Sequence, residues 1–146
     1  MADPEIAAVE AANSRFYNAF ETGDLDLMHE VWAGGAFAEG VSCVHPGSPM
    51  LRGRDEVLRS WALVMANTPY IQFVLTEVHT EVRGDHAVLT CEENILMADD
   101  SENGFLAGGS VVSTNLFVKE EGEWRLWVHH GSPVLGGVEE DDDGQD

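Results

Sequence analysis

The feature that most constrains the fold is a change in the spacing of apolar residues near position 70. Before Tyr70, apolar residues recur every three or four positions in three segments, which is typical of amphipathic helices. After Tyr70 they alternate with polar residues, which is typical of strands that bury one face. Helices gathered in the first half of the chain and strands in the second half predict an α+β fold.

The helix boundaries are marked by capping residues. An aspartate followed by a proline opens the first predicted helix, and glycines close the first and second. A short apolar stretch, residues 41–45, predicts a strand that stops at a Pro-Gly turn. The three predicted helices lie between Asp3 and Gly23, between Asp24 and Gly34, and between Gly53 and Asn67.

Four long strands are predicted in the second half. Gly84 and Gly122 mark two tight turns between them, and residues 98–109 form a polar, glycine-containing loop. We therefore expect one curved, mostly antiparallel sheet whose concave face packs on the three helices. The predicted strands cover residues 70–83, 86–97, 110–119 and 123–131.

The charge of the chain excludes several classes of function. Seven Lys and Arg residues against 27 Asp and Glu give a net charge of −20. Binding to nucleic acid needs a basic surface, and so does binding to an anionic membrane, so neither partner is expected. The chain shows neither an apolar run long enough to span a bilayer nor a secretory signal at its start. Two cysteines without a Cys-x-x-Cys pair predict free buried thiols and a cytoplasmic protein.

Much of the acidity lies at the end of the chain. Residues 139–146 hold six acidic residues and no apolar one. Such a segment has nothing to bury and should stay solvated. We therefore predict a single domain over residues 1–134, followed by an acidic disordered tail over residues 135–146.

Three polar residues on predicted apolar faces are candidates for catalysis. Alternation in the second long strand places Glu93 beside Leu89 and Cys91 on the inner face, unless a bulge shifts the register. A buried carboxylate is costly, so its pKa should rise or it should find a donor. In the last strand, His130 is separated from Leu126 and Val128 by even numbers of residues, so alternation places it on their side of the strand. This predicts that His130 points inward and that His129 points outward. His45 ends the first strand and should lie at the rim of the same region.

Other residues could complete a ligand pocket. Phe16, Trp32 and Trp61 lie on the buried stripes of the helices and could form an aromatic wall, although each could also be plain core. Asn115 lies in the middle of a strand with an ambiguous direction, and Ser132 shares the parity of His130. A set of two histidines and a carboxylate could bind a metal, but no local ligand spacing supports one. We expect no metal and no cofactor.

Several phrases of the sequence, taken in order, resemble the nuclear-transport-factor-2-like superfamily in its SnoaL-like branch. RFYNAFETGD (residues 15–24) is similar to the first helix and Gly-Asp turn of that family. VHPG (44–47) followed by GRDEV (53–57) resembles its strand and third helix, and GEWRLWVHHGS (122–132) resembles its last strand. The resemblance covers roughly residues 5–134, with the size of one ordinary domain.

This resemblance implies a fold more firmly than a function. It implies a cone-like half-barrel with a deep pocket between the curved sheet and the helices, and a homodimer formed through the outer face of the sheet. Relatives include isomerases, dehydratases, epoxide hydrolases, polyketide cyclases and non-enzymatic assembly domains, so the fold alone does not select an activity.

Three functions therefore remain open. The chain could bind an unidentified small apolar molecule, or it could be a cofactor-independent acid/base enzyme that acts through Glu93, His130 and His45. It could also be a dimeric interaction module without a ligand. A cavity in which a carboxylate and a histidine converge favours the enzyme, whereas a filled core favours the module.

Overall fold

The computed structural model describes residues 3–98 and 105–135. Three α-helices form as the sequence predicts: α1 (Pro4–Thr22), α2 (Leu25–Val31) and α3 (Arg54–Ala66). The side chain of Asp3 caps α1 by accepting from the backbone N–H of Glu5, and Gly23 ends the helix in a left-handed conformation. Because α2 begins two residues later, α1 and α2 pack against each other as a hairpin.

Six strands form one sheet. They lie in the spatial order β2, β1, β6, β5, β4, β3, and every neighbouring pair is antiparallel except β1 and β6, which run parallel. The sheet is therefore mostly antiparallel, and the predicted α+β class is confirmed. The strands are β1 (Ser42–Val44), β2 (Met50–Arg52), β3 (Ile71–Arg83), β4 (His86–Ala98), β5 (Phe105–Glu120) and β6 (Glu123–Pro133).

Two short elements were not predicted, and one strand is longer than predicted. A 3₁₀ helix covers Gly35–Gly40, and β2 pairs with β1 at one edge of the sheet. β5 begins at Phe105, within the segment 98–109 that was predicted to be a loop. The register shifts beside Ile95, and Gly109 has a φ of 88°, so a glycine that suggested a loop instead accommodates a β-bulge.

Bulges bend the sheet around the helices. In β3 the pairing with β4 is interrupted between Thr76 and His79, where Glu77 has a φ of 55°. The concave face that results packs against α1, and large apolar side chains from both layers fill the space between them. The largest fully buried apolar side chains include Phe16, Met28, Trp32, Leu89, Phe117 and Leu126.

A bulge in β6 overturns the predicted orientation of the last strand. Leu116 pairs with Val128 while Phe117 pairs with Leu126, so Trp127 is an extra residue without a partner in β5. The extra residue reverses the alternation, and His129 is buried while His130 is exposed. The predictions that His130 points inward and that His129 points outward are therefore wrong.

The predicted tail, residues 135–146, lies outside the described residues except for Leu135. Leu135 itself is 84% exposed. Within the described ranges, no helix combines the length and the apolar character needed to cross a bilayer.

Candidate active site

A cavity of about 210 Å³, partly open to the surface, lies between the helices and the concave face of the sheet. Most of its wall is apolar, but two histidines, a glutamate and a tyrosine also line it. Its volume is below the ~300–1,000 Å³ of sites for drug-sized ligands and above the ~150 Å³ that holds benzene. The lining residues are Phe16, Tyr17, Phe20, His45, Pro46, Trp61, Val64, Thr68, Ile71, Phe73, Glu93, Ile95, Met97 and His129.

Glu93 enters the cavity wall from β4. The strand alternates as predicted, so Glu93 follows Leu89 and Cys91 on the inner face and is only 4% exposed. The hydroxyl of Tyr17 donates a hydrogen bond of 2.5 Å to its Oε2 atom. Burial raises the pKa of Glu93, and the hydrogen bonds from Tyr17 and Ser113 only partly oppose this. The carboxyl group is therefore protonated more readily than an ordinary glutamate.

Tyr17 supplies this hydrogen bond from α1. Its pKa is raised well above the usual value, chiefly by burial and then by the neighbouring Glu93, so its hydroxyl remains a donor. Tyr17 was not predicted as a site residue from the sequence. Its position was nevertheless visible, because Val9, Asn13 and Tyr17 are spaced four residues apart on the buried stripe of α1.

His129 enters the wall from β6 and is 4% exposed. Its Nδ1 atom lies 2.6 Å from the side-chain oxygen of Asn115. Burial, with smaller contributions from His45 and His130, lowers the pKa of His129 to about 3. The ring is therefore neutral at physiological pH and has one nitrogen available as an acceptor.

His130 was predicted at the position in the cavity wall that His129 occupies. A signal was present, because Leu126, Trp127 and Val128 are three consecutive apolar residues and strict alternation cannot bury all of them on one side. Such a run is compatible with a bulge, and a bulge exchanges the two histidines. His130 lies on the exposed outer face and does not line the cavity.

His45 directly follows β1 and also lines the cavity. Its Nε2 atom lies 3.0 Å from the hydroxyl of Ser60, which itself donates to the carbonyl of Val57 at 2.7 Å. Since the proton of Ser60 is already engaged, Nε2 of His45 is the donor and Nδ1 is left as an acceptor. Burial lowers the pKa of His45, so this ring also favours the neutral form.

Aromatic rings form the rest of the inner wall. Phe16 packs edge-on against Trp61 at a centroid distance of 5.3 Å, and Trp61 packs against His45 at 4.7 Å. Phe20 and Phe73 continue this wall at 5.1 Å from Trp61 and 5.0 Å from Tyr17, respectively. The structure thus places Phe16 and Trp61, two of the three predicted aromatic residues, in the cavity wall.

Three other predicted pocket residues do not line the cavity. Trp32, the residue that follows α2, packs on Phe16 at a centroid distance of 6.0 Å within the core. Ser132 lies two residues after the exposed His130, so after the bulge in β6 it belongs to the same outer face. Asn115 is fully buried behind His129, where it contacts the ring and not the cavity.

The chemistry available here is transfer of protons. Two neutral imidazoles can accept a proton and a carboxyl group with a raised pKa can donate one, and all three groups line one mostly apolar cavity. The two cysteines are not suited to nucleophilic catalysis, which requires a thiolate. Burial raises the pKa of Cys43 to about 12 and that of Cys91 to about 11, so both remain thiols at physiological pH. Among the described residues, no group of three or more His, Cys, Asp or Glu side chains could hold a metal ion.

Comparison with known protein families identifies relatives of this chain. The family model of the SnoaL-like domain matches residues 9–136, which is most of the chain. The chain belongs to the SnoaL-like domain family. The SnoaL-like domain is also 27% identical over 128 residues to the F-box protein SKIP8 of Arabidopsis thaliana, covering 88% of this chain. The chain spans about half the length of that curated relative.

Solved structures agree with the family and with the fold. A protein from Streptomyces avermitilis, described as a "putative dehydratase from the NTF2-like family", is 48% identical, with a TM-score of 0.84 and coverage of 92% of this chain and 99% of that one. A protein from Thiobacillus denitrificans, described as a "putative calcium/calmodulin-dependent protein kinase type II association domain", is 30% identical, with a TM-score of 0.74 and coverage of 86% and 94%. The SnoaL-like domain therefore has the NTF2-like cone that its sequence predicted.

Proposed function

We propose that this SnoaL-like domain is a cofactor-independent acid/base enzyme that eliminates water from a small, uncharged, largely apolar substrate. The observation that carries the proposal is the convergence of Glu93, His45 and His129 in one apolar cavity. A protein that only binds an apolar molecule has no need of two buried titratable groups, each of which costs stability, beside a third that is half-buried. The 48% identity to a protein described as a "putative dehydratase" supports the same class of reaction.

The roles follow from the protonation states of the side chains. A neutral histidine, His129 or His45, removes a proton from the carbon next to a carbonyl group of the substrate. Glu93, in its protonated form, gives a proton to the hydroxyl group on the next carbon, which leaves as water. The imidazolium then returns its proton to the carboxylate by way of solvent, so the enzyme is unchanged after each cycle.

The lining of the cavity supports an uncharged substrate. No lysine or arginine is found among the residues that line it in the described part of the chain, so nothing there would pair with a carboxylate or a phosphate. The volume of about 210 Å³ accommodates a single ring or the end of a longer molecule. A small cyclic β-hydroxy ketone combines these properties and is the substrate class that we propose.

Proton abstraction can be tested before the natural substrate is known. In D₂O, the protein should speed the exchange of α-hydrogens of cyclohexanone, and it should convert 3-hydroxycyclohexanone to the enone, which is followed by its ultraviolet absorbance. Replacing the main base, His129→Gln or His45→Gln, should lower the exchange rate by roughly 10²–10⁴-fold. Glu93→Gln should lower dehydration much more than exchange, because a base alone suffices for exchange.

His130→Gln is the matched control, since His130 adjoins His129 in sequence but lies outside the cavity. This variant should exchange and dehydrate like the wild type. If the probes bind with affinity that the cavity variants weaken, but neither exchange nor dehydration exceeds the rate in buffer, the domain is a binding protein and the proposed activity is wrong.

We further propose that the domain forms a homodimer through the outer face of its sheet. Three apolar side chains on that face are exposed in the single chain: Val74 at 62%, Val112 at 46% and Leu96 at 37%. The similarity to a protein described as an association domain also supports self-assembly. Light scattering should give the mass of a dimer, and Val112→Arg should give the mass of a monomer.

We also propose a cytoplasmic location. The support is chemical, because Cys43 and Cys91 are both free and buried, and free thiols are typical of a reducing compartment. A fluorescent fusion found outside the cytoplasm would contradict it.

A further inference from the structure

We propose that Asn115 is a positioning residue of the site: its side-chain oxygen keeps the proton of His129 on Nδ1, so that Nε2 faces the substrate as an acceptor. This inference rests on the proposed function, because it concerns the base of that reaction. Asn115 itself is not among the residues that line the cavity. It acts only through the ring of His129.

Asn115 is fully buried in the middle of β5, where all of its side-chain hydrogen-bonding groups have partners. Its amide nitrogen donates to Asn13 at 2.8 Å and to the hydroxyl of Tyr17 at 3.4 Å. Its oxygen accepts from Ser113 at 3.2 Å and lies 2.6 Å from Nδ1 of His129. An asparagine has two donor hydrogens and one acceptor oxygen, so this arrangement uses all of them.

The orientation of this amide decides the tautomer of His129. Because Asn13 and Tyr17 both receive the NH₂ group, the oxygen is the atom that faces the imidazole. An amide oxygen can only accept, so Nδ1 must carry the proton of the neutral ring. That leaves Nε2 with its lone pair, which is the form that a general base requires.

Asn13 completes the support from the helix layer. It is 3% exposed on α1, and its bond to Asn115 ties the orientation of the amide to the position of the helix. The same amide contacts Tyr17, which donates to Glu93. Asn115 therefore links the proposed base and the proposed acid, which enter the site from different strands.

An amide in this place also differs from a carboxylate in a way that can be measured. A carboxylate on Nδ1 would stabilise the protonated imidazole, whereas the neutral amide orients the ring without adding a negative charge. The titratable groups that act on the ring in the present chain are His45, from the segment after β1, and His130, the next residue of β6. Both of them oppose protonation of His129.

The test is nuclear magnetic resonance of the protein labelled with ¹⁵N-histidine, in which Nδ1–H and Nε2–H tautomers have distinct nitrogen shifts. In the wild type at pH 7, His129 should show the Nδ1–H tautomer. Asn115→Asp keeps an acceptor of the same shape, so it should keep this tautomer in the neutral ring but raise the pH at which His129 becomes protonated. Asn115→Leu removes the acceptor and should shift the ring toward Nε2–H.

Activity supplies a second measurement. Asn115→Leu should slow the exchange of α-hydrogens of cyclohexanone by about 10–100-fold, as for other histidines that lose an orienting partner. A wild-type ring found as Nε2–H, or a tautomer unchanged in Asn115→Leu, would overturn the proposal even if the protein is an active enzyme. The expected tautomers in a protein without exchange activity would instead uphold the positioning and contradict the proposed function.

Discussion

The concave face of the sheet has two regions that are built from the same strands but differ in composition. In the closed region, Phe117 of β5 and Leu126 of β6 are fully buried against the helices and leave no space for a ligand. A few residues away along the same strands, Ser113 and His129 replace the large apolar side chains, and the cavity lies beside them. The closed region stabilises the fold, and the open region carries groups whose burial costs stability.

This difference in composition predicts which region contributes most to the free energy of unfolding. Burial of apolar surface contributes about 25 cal/mol per Å², so the apolar side chains of the closed region stabilise the folded state. For buried polar groups, hydrogen bonds within the protein offset only part of the free energy lost when the groups leave water. Substitutions in the closed region should therefore change stability most, and substitutions in the open region should change chemistry and pH dependence.

The largest effect on stability should follow truncation in the closed region. Leu126→Ala should lower the free energy of unfolding by about 2–5 kcal/mol, because it leaves a void in a close-packed core. Ile95→Ala is the matched change in the wall of the open region, where the side chain is only partly buried and space is already present. It should cost about 1–2 kcal/mol. Urea unfolding measures both, and equal losses would remove the distinction between the two regions.

The next effect is a dependence of stability on pH that originates at His129. Its folded pKa is about 3, below its unfolded value of about 6.5, so the unfolded chain binds the extra proton between these limits. The contribution is therefore present above pH 6.5 and is lost as the pH falls toward 3. From pH 6.5 to 4.5 the loss should be about 2 kcal/mol, because the slope reaches its full value of about 1.4 kcal/mol per pH unit only well below the unfolded pKa.

Two variants isolate this contribution from that of the many carboxylates. His129→Gln should flatten the fall in stability over that range, and His130→Gln should leave it parallel to the wild type. If His130→Gln flattens the curve and His129→Gln does not, the assignment of the buried histidine is wrong.

A smaller effect with the opposite sign is expected at Glu93. Its folded pKa is raised by burial, so the folded chain binds the extra proton as the pH passes between the unfolded and folded pKa values. Stability therefore falls as the pH rises through that window. Glu93→Gln, which preserves shape and can still accept from Tyr17, should be more stable than the wild type at pH 8 and equal to it at pH 4. Thermal melts at the two pH values compare them, and a variant less stable at pH 8 would contradict the account.

The smallest effect concerns neither region. Residues 139–146 contain six acidic residues and no apolar residue that could dock on the domain. Removing them should change the free energy of unfolding by no more than about 0.5 kcal/mol, the range of ordinary surface changes. A larger loss in urea unfolding would show that the acidic segment contacts the domain.

The two regions also differ in how well sequence reasoning predicted them. Helix caps such as Asp3 and Gly23 depend on local geometry, and simple alternation in β4 gave the inward orientation of Glu93. The assignment of His130 failed because one inserted residue, Trp127, reverses every side chain that follows it. Local patterns specify helices and register between bulges. They do not specify where a bulge lies, because that depends on pairing with a strand distant in sequence.

The role of Asn115 could not be predicted from the sequence either. Its place in the middle of β5 was clear from the sequence, but its partners Asn13 and His129 come from another layer and another strand. Only the folded structure shows that this amide contacts the ring of His129 and does not line the cavity. The catalytic roles of Glu93 and His45 remain predictions that the experiments above decide.

The most direct test of the account is whether a small apolar molecule enters the cavity beside His129. The protein labelled with ¹⁵N-histidine is titrated with 2-cyclohexen-1-one, a product of the proposed class, and the shifts of each ring are followed. The account predicts saturable shifts at His129 and His45, which line the cavity, and none at His130 or His79, which lie outside it. Shifts confined to His130 or His79, or no saturable shift at His129, would contradict it.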